Sequence, residues 1–277
     1  MLPARSAALL ALLVLWTTRA DAQAEPNPEP TPPTPPPCES APPTPPPVEP
    51  PPVDPTPDAP PDAPPAPSPP PDAPPPLPAG RALANLPADT CLTLLRAHGV
   101  TFDELLPGDA PGVRTPVRVH GALGGVTVVP RNDPERSVHA VLDCRLALAV
   151  LAWAPTLRAA HVVKIEHYSA YRANARVAGR GPVSGHASAM ALDAARFHTD
   201  DGEVLDVLVD WADRRRGADP CAPRDDEPTA SHTLRSVVCE AVRVDLFQVV
   251  LTPHHDPAHQ NHVHLELRPG VDWSFVH

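Results

Sequence analysis

Apolar and polar side chains alternate strictly along the segment 262–267, which reads His-Val-His-Leu-Glu-Leu. A period of two predicts a half-buried β-strand, because successive side chains of a strand point to opposite faces. His262 and His264 therefore share one face and can converge on a single point, such as a metal ion. Alternation, or short apolar runs bounded by glycine and proline, predicts further strands at 113–119, 125–129, 161–167, 192–197 and 247–251.

Helical periodicity predicts four helices, at 89–99, 144–154, 202–216 and 231–246. Asp89 or Thr90 is the expected N-cap of the first helix, which a glycine ends, and Pro155 is expected to end the second. Helices and strands follow one another without regular βαβ units. This order predicts an α+β fold with a small, mainly antiparallel sheet, flanking helices and the metal site on the sheet.

Proline is concentrated in one segment, since 30 of the 45 prolines lie between Pro26 and Pro78. Proline fixes φ and lacks a backbone N–H, and this segment offers no apolar core. Residues 23–80 are therefore predicted to be a disordered, proline-rich linker of extended polyproline II character. Residues 81–277 are numerous enough to form one domain with a core of its own.

The first 22 residues have the features of a secretory signal peptide. Arg5 supplies a positive charge, an apolar run covers 7–16, and Ala20-Asp21-Ala22 fits the small-x-small cleavage rule. The apolar run is shorter than the ~20 residues that a membrane-spanning helix requires. We therefore expect export, and no membrane insertion after the signal is cleaved.

The charge balance argues against nucleic acid as a partner. The formal net charge is -11, and residues 23–80 contain eight acidic residues and no basic ones. From Arg81 onward, 20 basic residues stand against 24 acidic residues. Nucleic-acid binding requires a basic surface, which this balance does not supply.

Four of the five cysteines lie in the globular part, at positions 91, 144, 221 and 239. Export permits disulfides, and four cysteines allow three pairings. Their spacing favours Cys221 with Cys239 and leaves Cys91 with Cys144, but the sequence by itself does not choose. Cys38, inside the proline-rich segment, is left over as a free thiol or an intermolecular link.

A second group of candidate metal ligands lies in the segment 184–194, which contains His186 and Asp193. On one helix, residues seven apart would be separated by roughly 10 Å, and on one straight strand an odd offset would put them on opposite faces. The chain must therefore bend between them to bring both to one ion. The small residues Ala187, Ser188 and Ala189 permit such a bend.

The combined pattern, Ser184-x-His186-x6-Asp193 followed by a His-x-His strand, resembles the signature of the D-alanyl-D-alanine carboxypeptidase and murein endopeptidase group of zinc peptidases. Within that group the sequence is similar to the bacterial extensin-like C-terminal domain family, from about Cys91 to Leu267. The resemblance also includes the segment 169–172, Ser-Ala-Tyr-Arg. It differs from the usual pattern at Ala189, where glycine is expected.

The resemblance implies a ligand set for zinc: His186, Asp193 and His264. Three protein ligands leave a fourth position for water, which agrees with the general rule for catalytic zinc sites. The ligand types alone would also suit other divalent ions.

The resemblance further implies catalytic roles. Relatives with a Glu-x-x-His motif carry a glutamate where this chain has Asn261, so the role of general base passes to His262. His259 matches the first histidine of an endopeptidase-type His-x-x-His-x-His and is expected to stabilise the oxyanion or orient water. Arg172 is expected to hold the carboxylate or carbonyl of the substrate. Glu266 shares the face of the histidines and is a candidate to support them.

These expectations describe an exported zinc metallopeptidase that is periplasmic or secreted and associated with the cell wall. Its expected substrate is the peptide of bacterial peptidoglycan, cut at a bond that involves D-alanine, with cross-link endopeptidase preferred over carboxypeptidase. The alternative is a non-catalytic cell-wall binding module with a structural zinc. His254 and His255 match no position of the motif and are expected to be loop residues.

Overall fold

A sheet that is mainly antiparallel and the helices around it make up the described part of the protein. The computed structural model describes residues 73–132, 137–212, 215–222 and 224–277. The predicted signal peptide, nearly all of the proline-rich segment and Cys38 lie outside these residues. Among the described residues, no helix combines the length and the apolar character that crossing a membrane requires.

Four α-helices and eleven strands form within the described residues, which confirms the predicted α+β class. The helices are α1 (Ala88–Ala97), α2 (Cys144–Ala159), α3 (Val207–Asp210) and α4 (Thr229–Arg243). The strands are β1 (Thr101–Glu104), β2 (Pro116–His120), β3 (Ala122–Leu123), β4 (Val126–Pro130), β5 (Leu142–Asp143), β6 (Val162–His167), β7 (Ala191–Thr199), β8 (Val204–Asp206), β9 (Val249–Leu251), β10 (Val263–Glu266) and β11 (Phe275–Val276).

The larger sheet has the strand order β11-β9-β10-β7-β6-β4-β3, and β8 pairs with β7. Only the β4–β6 and β9–β11 pairs of this sheet are parallel within the described residues, so its predicted antiparallel character is confirmed. The sheet is larger than expected, because the short strands β3, β8 and β11 extend it. Strands β1, β2 and β5 form a separate three-stranded sheet.

Helix α2 is the buried centre of the fold, but the prediction that Pro155 ends it is wrong. The helix continues through Pro155 to Ala159. A proline inside a helix costs about 3 kcal/mol, because it removes one hydrogen bond and crowds the preceding turn. The last turn buries Leu157 completely, which by itself contributes about 1.5–3 kcal/mol. Burial of Leu157 therefore offsets most of the local penalty.

The predicted helix at 202–216 is also wrong for most of its length. Val204–Asp206 is strand β8, and only Val207–Asp210 is helical, while residues 213 and 214 lie outside the described part. Leu205 is buried in the core, and β8 pairs with β7. The Asp206 carboxylate then accepts a hydrogen bond from the Leu208 N–H, which starts a new helix. Pairing with a distant strand thus overrides the local helical pattern.

Helix α1 is confirmed, with a difference at its first residues. Pro87 occupies the N-cap, and Asp89 lies in the first turn, where a carboxylate suits the positive end of the helix dipole. Gly99 follows with a φ of 70°, a conformation that glycine adopts without strain. The predicted glycine stop is therefore correct, and the predicted N-cap is not.

Both favoured cysteine pairs are present as disulfides. Cys91–Cys144 joins α1 to α2, and Cys221–Cys239 joins a polar loop to α4. The sequence separations are 53 and 18 residues, for which loop-closure entropy gives stabilisations of roughly 4 and 3 kcal/mol. Disulfides of this kind are typical of oxidising compartments.

The loop that carries Cys221 is also held by a buried ion pair. Glu227 Oε1 accepts hydrogen bonds from Arg235 Nε (2.6 Å) and Ser231 Oγ (2.5 Å). Arg235 Nη1 also donates to the carbonyl oxygen of Pro220 (3.0 Å). Burial acts to raise the pKa of Glu227, but the hydrogen bonds and charge of Arg235 outweigh it, so the pKa is lowered from 4.5.

We expect Glu227→Gln to lower the free energy of unfolding by about 2 kcal/mol at pH 7, because Arg235 keeps its burial but loses its counter-charge. A depressed carboxylate pKa stabilises the fold above the unfolded-state value and loses this effect as the pH falls through the folded-state value. The difference between parent and variant should therefore shrink below about pH 4.5. Urea denaturation of parent and variant across pH 3–8 measures this difference in the free energy of unfolding. Glu240→Gln, at an exposed pair with Arg243, is the control and should change little; equal effects of both variants would contradict this account.

Candidate metal centre

Strands β7 and β10 lie side by side and bring two of the predicted ligands together. In their antiparallel register, Asp193 is directly opposite His264. Directly opposite residues of an antiparallel pair have neighbouring side chains on the same face of the sheet. The period of two on each strand therefore places both side chains at one point.

The third predicted ligand, His186, reaches the same point through a bend. Gly185–Ser188 form a 3-10 turn, in which the Ser184 hydroxyl accepts a hydrogen bond from the His186 N–H. Ala189 then takes a left-handed conformation with a φ of 52° and leads into β7. The predicted bend is confirmed.

The three predicted ligands converge, and all three side chains are buried. His186 Nε2 lies 2.9 Å from Asp193 Oδ1, and His264 Nδ1 lies 2.9 Å from the same oxygen. The two histidine nitrogens are 3.2 Å apart. Ligand atoms at 2.0–2.1 Å from one tetrahedral ion are about 3.3 Å from each other. The trio therefore has the composition and nearly the spacing that a zinc ion requires.

A further layer of residues holds the trio in place. His186 Nδ1 donates to the carbonyl oxygen of Ala170 (3.0 Å), and Ser169 Oγ donates to Asp193 Oδ2 (3.0 Å). His264 Nε2 lies 3.0 Å from Glu266 Oε2. Partners of this kind fix the ring orientation of metal-binding histidines and raise their basicity. The position of Glu266 beside His264 agrees with the supporting role expected for it.

Gly185 makes room for this layer. A Cβ atom built at position 185 would lie 2.6 Å from the Glu266 carboxyl carbon, closer than side-chain carbons approach in folded proteins. Any larger residue at 185 would therefore displace Glu266 from His264. The close packing of this glycine was not predicted.

The electrostatic balance of the trio favours a bound cation. Burial acts to raise the pKa of Asp193, but hydrogen bonds from His186 and His264 outweigh it and hold this pKa well below 3.8. Burial acts to lower the pKa of His264, yet hydrogen bonds to Asp193 and Glu266 raise it to about 9. His264 thus holds a proton between two carboxylates, and a metal ion would replace that proton on binding.

His262 lies immediately before β10, on the side of the trio. Its Nδ1 is 2.8 Å from Asn261 Oδ1, an atom that only accepts, so Nδ1 carries the hydrogen. Its Nε2 lies 3.4 Å from Asp193 Oδ1. Burial lowers the pKa of His262 to about 4 despite the nearby Asp193. Near neutral pH the ring is uncharged, and its free nitrogen faces the candidate metal position.

Tyr168, to which the sequence analysis assigned no role, supports this arrangement. Asn261 Nδ2 donates to the Tyr168 hydroxyl (3.1 Å), and Arg131 Nη1 donates to the same oxygen (2.6 Å). The amide of Asn261 is thereby oriented with its oxygen towards His262. The signal in the sequence was the position of Tyr168 directly before the Ser-Ala-Tyr-Arg segment.

Arg172 and His259 are the two other predicted catalytic residues. They line a cleft of about 780 Å³ that also contains His262 and the buried trio. Arg172 is half-exposed, and its Nη2 lies 3.7 Å from Asp193 Oδ2. Its backbone N–H donates to the carbonyl oxygen of His186 (3.0 Å). His259 lies beside His262, with 5.1 Å between the ring centroids. The structure thus gathers all six predicted site residues at one cleft.

Comparison with known protein families gives a match. Residues 89–275 match the family described as Extensin-like protein C-terminus. Comparisons with curated proteins and with solved structures gave no match. The matched range contains all the residues of the trio and the cleft residues described above.

Proposed function

Because the chain belongs to the extensin-like protein C-terminus family and carries a buried trio of two histidines and one aspartate, we propose that it is an exported, zinc-dependent peptidase of bacterial peptidoglycan. The observation that carries the proposal is the neutral His262 beside a trio of the composition that catalytic zinc sites use. A purely structural zinc is usually enclosed by four protein ligands. Here three candidate ligands border a cleft large enough for a peptide.

Zinc, when bound by His186, Asp193 and His264, would supply a Lewis acid for the scissile carbonyl and the attacking water. His262 would then take a proton from that water at Nε2, because its Nδ1–H is engaged by Asn261. The same nitrogen would return the proton to the leaving amine. His259, at the side of His262, would orient water or stabilise the developing negative charge.

Arg172 would bind a carboxylate or carbonyl group of the substrate. Its guanidinium is half-exposed at the cleft, and a planar guanidinium binds a carboxylate through two parallel hydrogen bonds. Two more arginines, Arg176 and Arg268, line the same cleft. Three acidic residues, Asp193, Asp256 and Glu266, also line the cleft, and Arg268 pairs with Glu266. Arg172 and Arg176 are therefore the cations that suit a free carboxylate, such as those of the D-alanine-containing peptide of peptidoglycan.

The sequence pattern around His262 resembles endopeptidases, so cleavage of a cross-link is preferred over removal of a terminal residue. The two disulfides support export, and with it a periplasmic or secreted, wall-associated location. The alternative, a wall-binding module with a structural zinc, predicts binding of peptidoglycan without cleavage.

Digestion of purified peptidoglycan tests the proposal. The zinc-loaded chain should release peptides whose new termini, identified by mass spectrometry, involve D-alanine.

Arg172→Ala should lower kcat/KM by at least roughly tenfold, mainly through KM, because it removes a charge-assisted hydrogen bond to the substrate. Arg158→Ala, at a similarly exposed arginine that pairs with Asp200, is the control and should leave kcat/KM unchanged. Binding without any release of peptides would favour the alternative.

A further inference from the structure

A second group of metal-ligand side chains lies in the cleft, beside the trio of His186, Asp193 and His264. His255, Asp256 and His259 each offer a ligand atom, and these atoms lie within 4.8 Å of one another. Asp256 Oδ1 is 2.7 Å from His259 Nδ1, and Asp256 Oδ2 is 3.8 Å from His255 Nε2. We call these three residues the outer trio.

The backbone holds the outer trio rigidly. Asp256 precedes the 3-10 turn Pro257–His259, and its Oδ1 accepts hydrogen bonds from the N–H groups of Ala258 and His259. The carbonyl oxygen of His255 accepts a hydrogen bond from Arg216 Nη1 (2.7 Å). The turn therefore fixes the Asp256 carboxylate and the backbone of His259 before any ligand binds.

The ring of His255 is oriented by a residue distant in sequence. Its Nδ1 lies 3.2 Å from His277 Nδ1, and hydrogen bonds between the backbones of His277, Val250 and Thr252 hold His277 in place. With Nδ1 engaged, Nε2 is the nitrogen of His255 that faces Asp256. Metal-binding histidines generally have their second nitrogen fixed by such a partner.

Asp256 Oδ2 and His255 Nε2 face each other without a hydrogen bond between them. The 3.8 Å between this oxygen and His255 Nε2 is too long for a hydrogen bond. Two atoms bound to one tetrahedral zinc ion at 2.0–2.2 Å are about 3.3–3.6 Å apart, so the two atoms need to approach each other only slightly to share a cation. The outer trio also repeats the ligand types of the buried trio, with two imidazoles and one carboxylate.

We propose that His255, Asp256 and His259 form a second divalent-cation site, of the class that takes zinc. It shares no residue with the buried trio, although the rings of His259 and His264 are only 6.1 Å apart. Its side chains are half-buried and the positive Arg216 is close, so it binds zinc more weakly than the buried trio. A cation here adds positive charge to the wall of the cleft, where an anionic peptide is attracted.

This site can be tested without any assay of activity. The full chain is treated with a chelator and then titrated with zinc in a calorimeter. We expect one equivalent of zinc to bind tightly and a second equivalent to bind more weakly. The combined variant His255→Ala with Asp256→Asn should lose only the weakly bound equivalent. Asparagine keeps the acceptor that caps the turn. Loss of a residue that merely supports a ligand lowers metal affinity about 10- to 100-fold, so Asp256→Asn alone should weaken the second equivalent at least tenfold.

The combined variant Asp103→Asn with His120→Ala is the matched control, because it removes an exposed aspartate–histidine pair 2.8 Å apart. It should keep both equivalents. A weaker equivalent that survives His255→Ala with Asp256→Asn, or an unaltered affinity in Asp256→Asn, would overturn the proposal. A weak equivalent that persists in Asp193→Ala and disappears with the outer trio would support the second site even if the buried trio held no zinc.

Discussion

Asp193→Ala is expected to remove the tightly bound zinc equivalent and, with it, all hydrolysis of peptidoglycan. Asp193 Oδ1 is the atom that both buried histidines approach, at 2.9 Å each. Without it, His186 and His264 would remain as two nitrogen ligands, one fewer than catalytic zinc sites use. The variant also removes the carboxylate that supplies the negative charge of the trio.

Zinc content after dialysis, measured on protein without a His-tag, gives the first readout. Thermal unfolding gives the second, because a ligand that binds only the folded state at 100 times its Kd adds about 2.7 kcal/mol of stability. Zinc at a concentration that fills only the tight equivalent should raise the Tm of the parent and leave that of Asp193→Ala nearly unaltered, because the weaker site of the outer trio then stays empty. His264→Ala should behave likewise, and Asp225→Ala, in an exposed loop, should behave as the parent. Retention of the tight equivalent by Asp193→Ala would contradict the ligand assignment.

His262→Ala is expected to keep the tight zinc equivalent while losing about 10²- to 10⁴-fold in kcat, the usual contribution of a general base. His262 is not a member of the buried trio, but its Nε2 lies 3.4 Å from Asp193 Oδ1. Zinc content and kcat of this variant therefore distinguish a general base from a metal ligand. Loss of zinc would make His262 a ligand, and unaltered kcat would place the base elsewhere.

The same variant distinguishes an enzyme from a binding module. If the domain only binds peptidoglycan, His262→Ala should keep its affinity, and the parent should show no turnover to lose. The measurements are kcat on purified peptidoglycan and sedimentation of the chain with the same material. His120→Ala, at an exposed histidine, is the control and should match the parent in both.

Local pattern accounts for a large part of the candidate site. The alternation in 262–267 predicted a strand with His264 and Glu266 on one face, and β10 has this arrangement. The seven-residue spacing of His186 and Asp193 required a bend, which the 3-10 turn at Gly185–Ser188 supplies. Side-chain direction follows from backbone geometry, so these features could be inferred from short segments.

Local pattern failed where contacts distant in sequence decide the structure. Helix α2 continues through Pro155 because burial of Leu157 in the last turn offsets most of the penalty of the proline. The segment 202–216 was predicted to be a helix, but Val204–Asp206 pairs with β7. Neither outcome can be read from a window of neighbouring residues, because the deciding partners lie elsewhere in the chain.

The sequence by itself determined the α+β class through periodicity within short segments. It also carried the fixed spacing of the motif on which the family resemblance rests, and the resemblance implied the residues of the buried trio. Only the tertiary structure decided that Tyr168 orients Asn261 and that His277 orients His255. These partners are 93 and 22 residues apart in the chain. Their contacts arise from the register of paired strands and the packing of turns, and that packing is fixed only when the whole core is buried.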